Sequence, residues 1–123
     1  MWRSALAGLG IALMCFLAGC ESREDARERE KVSAAYSGVR AVGNAVEAYH
    51  AATDEWPQSL KQLTVADPQK GLKATLHPQQ IIDPWGSPYQ YVPPPSPHNG
   101  ETGPDVFTIA PRDGRMLGNW REK

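Results

Sequence analysis

The chain has 123 residues, 13 Lys and Arg against 14 Asp and Glu, and a net charge of −1. That balance lacks the basic field of a nucleic-acid-binding domain, and two cysteines are too few for a disulfide-stapled scaffold. Eleven prolines and eleven glycines in so short a chain predict much loop and little regular structure, chiefly in the second half.

The first residues read as a secretory signal. Arg3 supplies positive charge, and Ala5 to Leu17 form an uncharged apolar run. The run is shorter than the roughly 20 apolar residues a membrane span needs, and it suits the core of a signal peptide. It ends in Leu17-Ala18-Gly19-Cys20, which resembles a bacterial lipobox. Two small residues fit a peptidase cleft, and the Cys20 sulfur is the nucleophile that takes the lipid. Charge begins at once with Glu21. Residues 1–19 are therefore expected to be removed, and Cys20 to be lipidated and to anchor the chain in the cell envelope facing the periplasm. Glu21 leaves inner and outer membrane equally open. Two other arrangements stand beside this one: an ordinary signal peptide cut elsewhere, and a retained 1–19 segment acting as the anchor. With Cys15 removed and Cys20 acylated, no thiol remains for a disulfide, a redox pair or a thiolate metal site. The domain must be held by its core alone.

Residues 20–31 are mostly charged, with mixed signs, and read either as a solvated tether or as the opening of a helix, favoured from about Glu24. Asp25 and Arg29 have the i,i+4 spacing that supports helix. Residues 32–123 form the folded domain. Val32, Ala35, Tyr36, Val39, Val42, Val46 and Tyr49 recur at steps of three and four, one apolar stripe on an α-helix. Arg40, Asn44 and Glu47 fall on the opposite face. Gly38 and Gly43 each lower helicity by roughly 1 kcal/mol relative to alanine, so the stripe must be buried for the helix to persist. Thr53-Asp54-Glu55 breaks the pattern. Pro57, after Trp56, suits the first position of a short helix, with Leu60 and Leu63 facing the core and Asp67-Pro68 ending it. Residues 69–80 show no period and read as loop.

Tyr89 to Val92 reads as a strand. Val106 to Ala110 reads as a second, with Val106, Thr108 and Ala110 on one face and Phe107 and Ile109 on the other. Between them Pro93 to Pro104 is a proline- and glycine-rich loop. Asp113-Gly114 is a hairpin signal, returning Arg115 to Leu117 as a third, antiparallel strand. The expected fold is α+β: a long N-terminal helix packed on a small, about three-stranded, antiparallel sheet with a proline-rich loop.

The run Asp83-Pro84-Trp85-Gly86-Ser87-Pro88-Tyr89-Gln90-Tyr91 resembles the core of type II secretion system protein G, the major pseudopilin. So do Asp105-Val106-Phe107-Thr108-Ile109, Asp113-Gly114 and Gly118-Asn119-Trp120, and upstream the aromatic-proline pair Trp56-Pro57. The resemblance covers about Val32 to Trp120. Elementary chemistry gives these residues structural roles. Pro84 presets a turn whose amides the Asp83 carboxylate accepts, and Gly86 supplies left-handed freedom. Trp85 is an apolar plug between helix and sheet, Tyr89 and Tyr91 share a strand face, and Trp120 closes the end of the core.

The resemblance implies a structural or accessory component of protein secretion or a pilus-like machine, with protein partners in that assembly. Two departures shape the expectation. In pseudopilins a basic leader precedes the cleavage site and the apolar helix is retained; here the apolar segment comes first and is lost, so filament assembly by the family's route is not expected. The family's loop after the aspartate-glycine pair binds calcium. Between Ile109 and Asn119 this chain offers only Asp113, flanked by Arg112 and Arg115, with Asp105 as one further contributor, so calcium is not expected.

No catalytic motif is present: no nucleophile elbow, no metalloprotease helix signature and no phosphate-binding loop. Ser59, Ser87 and Ser96 have no base beside them in sequence, and His50, His77 and His98 are widely separated. The expectation is a non-enzymatic protein without cofactor or metal. The alternative is a periplasmic binding module that reuses the fold outside secretion, with the Pro93–Pro104 loop as its contact surface.

Overall fold

The computed structural model describes residues 2–120, with side chains from residue 23, so the expected removal of 1–19 and the expected lipidation at Cys20 fall on residues whose side chains lie outside those described. The chain divides into two units, residues 1–31 and 32–123. Helix α1 is Trp2–Thr53. Within the first unit residues 23–31 are helical, and Arg23, Glu24, Asp25, Arg27, Arg29, Glu30 and Lys31 are exposed. Among the described residues no helix is long and apolar enough to cross a membrane.

The second unit continues α1 and adds two 3-10 helices, Leu60–Thr64 and Pro78–Ile81, and three strands, β1 (Gln90–Val92), β2 (Asp105–Ile109) and β3 (Met116–Gly118). The strands form one sheet in the order β1-β2-β3. Both pairings are antiparallel, with Tyr91 opposite Val106 and Thr108 opposite Leu117. This is the expected α+β architecture, a long N-terminal helix packed on a three-stranded antiparallel sheet.

The apolar stripe of α1 explains the packing. Ala35, Val39, Val42 and Val46 are wholly buried and Tyr49 nearly so, while Arg40, Asn44 and Glu47 are exposed. Val39, Val42, Val46 and Tyr49 join Leu60, Leu63, Leu76, Tyr89 and Val106 in one cluster. Ala35 joins Ala110 and Leu117 in a second, against which Val32, Tyr36 and Trp85 pack. Burying a valine or leucine side chain contributes about 1.5–3 kcal/mol, enough to offset the helical cost of Gly38 and Gly43. Strand β2 starts and ends one residue earlier than expected but alternates from Val106 on. Val106 and Thr108 are buried, as is Ala110 just beyond the strand, Phe107 is half-buried and Ile109 is exposed; Asp105 at its start is buried as well.

α1 ends at Thr53 because Asp54 turns left-handed, at φ 60°. Its N–H still reaches the His50 carbonyl at 2.7 Å, and the Thr53 hydroxyl donates to the Tyr49 carbonyl at 2.8 Å. The next helix begins at Leu60, after Ser59, and not at Pro57. The region 69–80, expected as loop, contains the start of the Pro78–Ile81 helix. There the His77 ring accepts from Gln79 N–H and the Gln80 side chain accepts from His77 N–H.

Candidate functional site

The motif residues from Asp83 to Tyr89 lie where α1 approaches the sheet. The Asp83-Pro84-Trp85-Gly86 segment is a tight turn closed by Gly86 N–H on the Asp83 carbonyl at 3.1 Å and Asp83 N–H on the Ser87 carbonyl at 2.7 Å. Pro84 and Trp85 hold its two central positions, and Gly86 follows at φ 91°, a conformation glycine adopts without strain. Asp83 is buried. One of its carboxylate oxygens accepts the N–H groups of Trp85 and Ser87, at 3.0 and 2.8 Å. The other accepts the Thr108 hydroxyl from the middle of β2. The turn is thereby tied to the central strand, and Trp85 packs against Ala35, Ala110 and Leu117.

Tyr89 lies against Gly38. A Cβ at that position would stand 2.8 Å from Cζ of Tyr89 and closer still to its hydroxyl, so only glycine lets the helix come this near to Tyr89, which stands just before β1 and not, as expected, within it. Burial raises the Tyr89 phenol above its ordinary range, and the Asp83 charge adds to the shift. Tyr91 donates to the Pro57 carbonyl at 2.8 Å, which couples the aromatic-proline segment to β1. Burial pushes the Tyr91 phenol up to about 12. Pro57 is fully buried, and Trp56 stacks on His50 with ring centroids 3.9 Å apart.

The Asp113-Gly114 turn joins β2 to β3. Gly114 has φ 70°, its N–H reaches the Ala110 carbonyl at 2.9 Å, and Asp113 accepts from Arg115 N–H at 3.1 Å. Trp120 lies on the sheet face that carries Phe107 and not within either core cluster. It stacks on the His98 ring at 3.7 Å, tilts against Phe107 at 6.0 Å and occupies the space a Cβ at Gly118 would need. Its ring therefore secures the Pro93–Pro104 loop against the sheet.

That loop holds a cluster whose role the sequence does not reveal. Asp105 is 1% exposed. It accepts N–H groups from His98 at 3.1 Å and Asn99 at 3.0 Å, and its carboxylate meets His98 Nδ1 at 2.9 Å. Burial alone pushes the Asp105 carboxyl up, but the His98 and Ser96 side chains and the two backbone amides together bring it below its ordinary value. Asn99 donates to the Pro104 carbonyl at 2.7 Å and to Asn119 Oδ1 at 3.0 Å, and that same Asn119 oxygen accepts from Val106 N–H. In sequence, Asn119 stands out only as the centre of Gly118-Asn119-Trp120.

These groups hydrogen-bond to one another and to the backbone, and so position the chain. The Ser96 hydroxyl donates to the Gly103 carbonyl at 2.7 Å and accepts from Asn99 N–H at 3.3 Å. An apolar cleft of about 70 Å³ lies between α1 and the first 3-10 helix, lined by Ala48, Tyr49, Ala52, Leu63, Val65 and Leu72. Beside it Tyr49 accepts from Gln62 at 2.8 Å and from Lys70 at 3.2 Å. Lys70 also pairs with Glu55 at 3.2 Å. The Tyr49 contact, then Glu55, raises the Lys70 ammonium above its ordinary value.

The model of the family described as type II secretion system (T2SS), protein G, matches residues 24–118. The chain belongs to that family. No curated protein and no solved structure matches it. The family match spans the helix stripe, the Asp83–Gly86 turn and all three strands. Membership makes this a pseudopilin-like, secretion-related domain of the cell envelope. The protein G family is a structural component of its machine and not an enzyme family, and it points to assembly with other secretion or pilus proteins.

Proposed function

We propose that this protein is a lipid-anchored envelope component that lends a protein G-like domain to a type II secretion or related pilus-like machine as an accessory part. The observation that carries the reading is the order of elements. A protein G domain over residues 24–118 follows directly on Leu17-Ala18-Gly19-Cys20. In this reading residues 1–19 are removed, the Cys20 sulfur carries lipid, and the charged stretch after it leads into the domain on the periplasmic side. Loss of the apolar segment would take away the element by which pseudopilins polymerise. A role beside the filament, contacting machine proteins, then follows more naturally than a role as a filament subunit. The domain does no chemistry and needs no cofactor or metal in this reading; its work is binding.

A deletion strain tests the role. It is expected to secrete substrates of the machine, or assemble pili, poorly, and a plasmid copy should restore both. A plasmid copy with Cys20→Ala should fail to restore them and should keep residues 1–19, visible as unprocessed mass. A deletion strain that secretes and assembles pili normally would contradict the assignment to the machine.

A further inference from the structure

The resemblance to protein G implies a calcium site after the aspartate-glycine pair, and the residues here do not fit one. The turn between β2 and β3 is short, closed at 2.9 Å by Ala110 N–H on the Arg115 carbonyl. Its single carboxylate, Asp113, already accepts Arg115 N–H. Calcium takes six to eight oxygen ligands, usually with several carboxylates among them. Among the described residues no three His, Cys, Asp or Glu side chains converge. Asp105, the other candidate, has both oxygens engaged by protein donors.

The polarity of the Asp105 surroundings is more telling than the ligand count. A cation gathers carbonyl and carboxylate oxygens around itself. Here the loop aims the N–H groups of His98 and Asn99 inward, together with the His98 ring nitrogen, and that arrangement suits a buried anion. The loop carries its own supporting bonds. Ser96 and Gly100 exchange backbone hydrogen bonds at 2.8 and 3.0 Å. Asn119 Nδ2 donates to the Pro104 carbonyl at 3.0 Å. Trp120 stacks on the outer side of His98.

We propose that this domain dispenses with the family's cation: the β2–β3 turn does not gather the ligands for one, and the neighbouring Pro93–Pro104 loop is ordered around the Asp105 carboxylate by protein donors, so that both loops hold independently of calcium. A buried carboxylate without its donors is costly, and donors aimed at a charge form the stronger class of hydrogen bond. Loop and carboxylate therefore hold each other in place. The inference rests on the geometry of this chain and not on the secretion role, so either can fail without the other.

The test uses the full chain purified in detergent. Thermal unfolding in excess EDTA and in millimolar calcium should give the same Tm, and calorimetric titration with calcium should show no saturable heat. In Asp105→Asn, amide hydrogen exchange at His98 and Asn99 should speed about ten- to hundredfold, the change expected when a hydrogen bond to a charged group is lost. His98→Ala, which leaves the carboxylate and the Asn99 amide bond intact, should speed loop exchange while the amides of β2 and β3 stay protected. That variant keeps the idea testable if Asp105→Asn does not fold. A saturable calcium-dependent rise in Tm overturns the proposal, and so does loop protection in His98→Ala equal to that of the parent.

Discussion

The Thr108 hydroxyl donates to the Asp83 carboxylate across 25 positions of sequence, and this single buried bond fastens the Asp83–Gly86 turn to the middle of the sheet. Asp83 spends its other oxygen on the turn's own amides. One carboxylate thus sets both the shape of the turn and its place. Thr108→Val keeps the side-chain volume but leaves one side of a buried charge without its donor, a loss of about 1–3 kcal/mol. Urea unfolding should show that drop, and Thr108→Ser should recover most of it.

Gly38→Ala should destabilise the domain, although alanine favours helix by about 1 kcal/mol. The new Cβ would enter the Tyr89 ring, and overpacking of this kind costs typically 1–3 kcal/mol. Tyr89→Phe removes the closest atom, so the double variant should lose less than the sum of the two single changes. A double-mutant cycle by chemical denaturation reads the coupling.

Acid should weaken the domain through Asp105. Its folded-state carboxyl lies below the ordinary 3.8, so the fold binds the proton less well than the unfolded chain does. The stabilisation is therefore complete above the ordinary value and is lost as pH falls through the folded value. Asp105→Asn should be the less stable protein at neutral pH, and the gap should shrink below about pH 4. Melting curves of both proteins across that range check it.

Alkali should act through Tyr91. Burial raises its phenol from 10.0 to about 12, so its contribution is whole below the ordinary value and is lost as pH rises through the folded one. Tyr91→Phe loses the bond to the Pro57 carbonyl, about 1 kcal/mol at neutral pH. Its stability should fall less steeply than the parent's above pH 10, as seen in denaturant midpoints.

The helix and sheet were legible because their signals are periodic. The steps of three and four from Val32 to Tyr49 and the alternation of Val106, Thr108 and Ala110 each require one buried face, and each has it. Asp113-Gly114 marked its turn because Gly114 needs a positive φ. The first 3-10 helix was displaced for a local reason. Pro57 is buried and gives its carbonyl to Tyr91, so the chain is still extended there and turns helical only after Ser59. The Pro78–Ile81 helix carries little signal in sequence because its cap is a histidine and not the usual serine, threonine, aspartate or asparagine. The Asp105 cluster was illegible for a deeper reason: most of its donors are backbone N–H groups and side chains that the fold alone brings together. Asp83 and Pro84 could be read as a turn, but the partner Thr108 could not be read from spacing.

The most direct test of the central claim is to crosslink intact cells carrying a C-terminally tagged protein, solubilise the membranes and identify the captured proteins by mass spectrometry. Recovery of secretion or pilus-machine components is the expected result, and it would direct mutagenesis to Arg40, Asn44 and Glu47 on the exposed face of α1 and to the Pro93–Pro104 loop. Recovery, at good yield, of only unrelated envelope proteins would contradict the accessory role and leave a protein G fold put to other use.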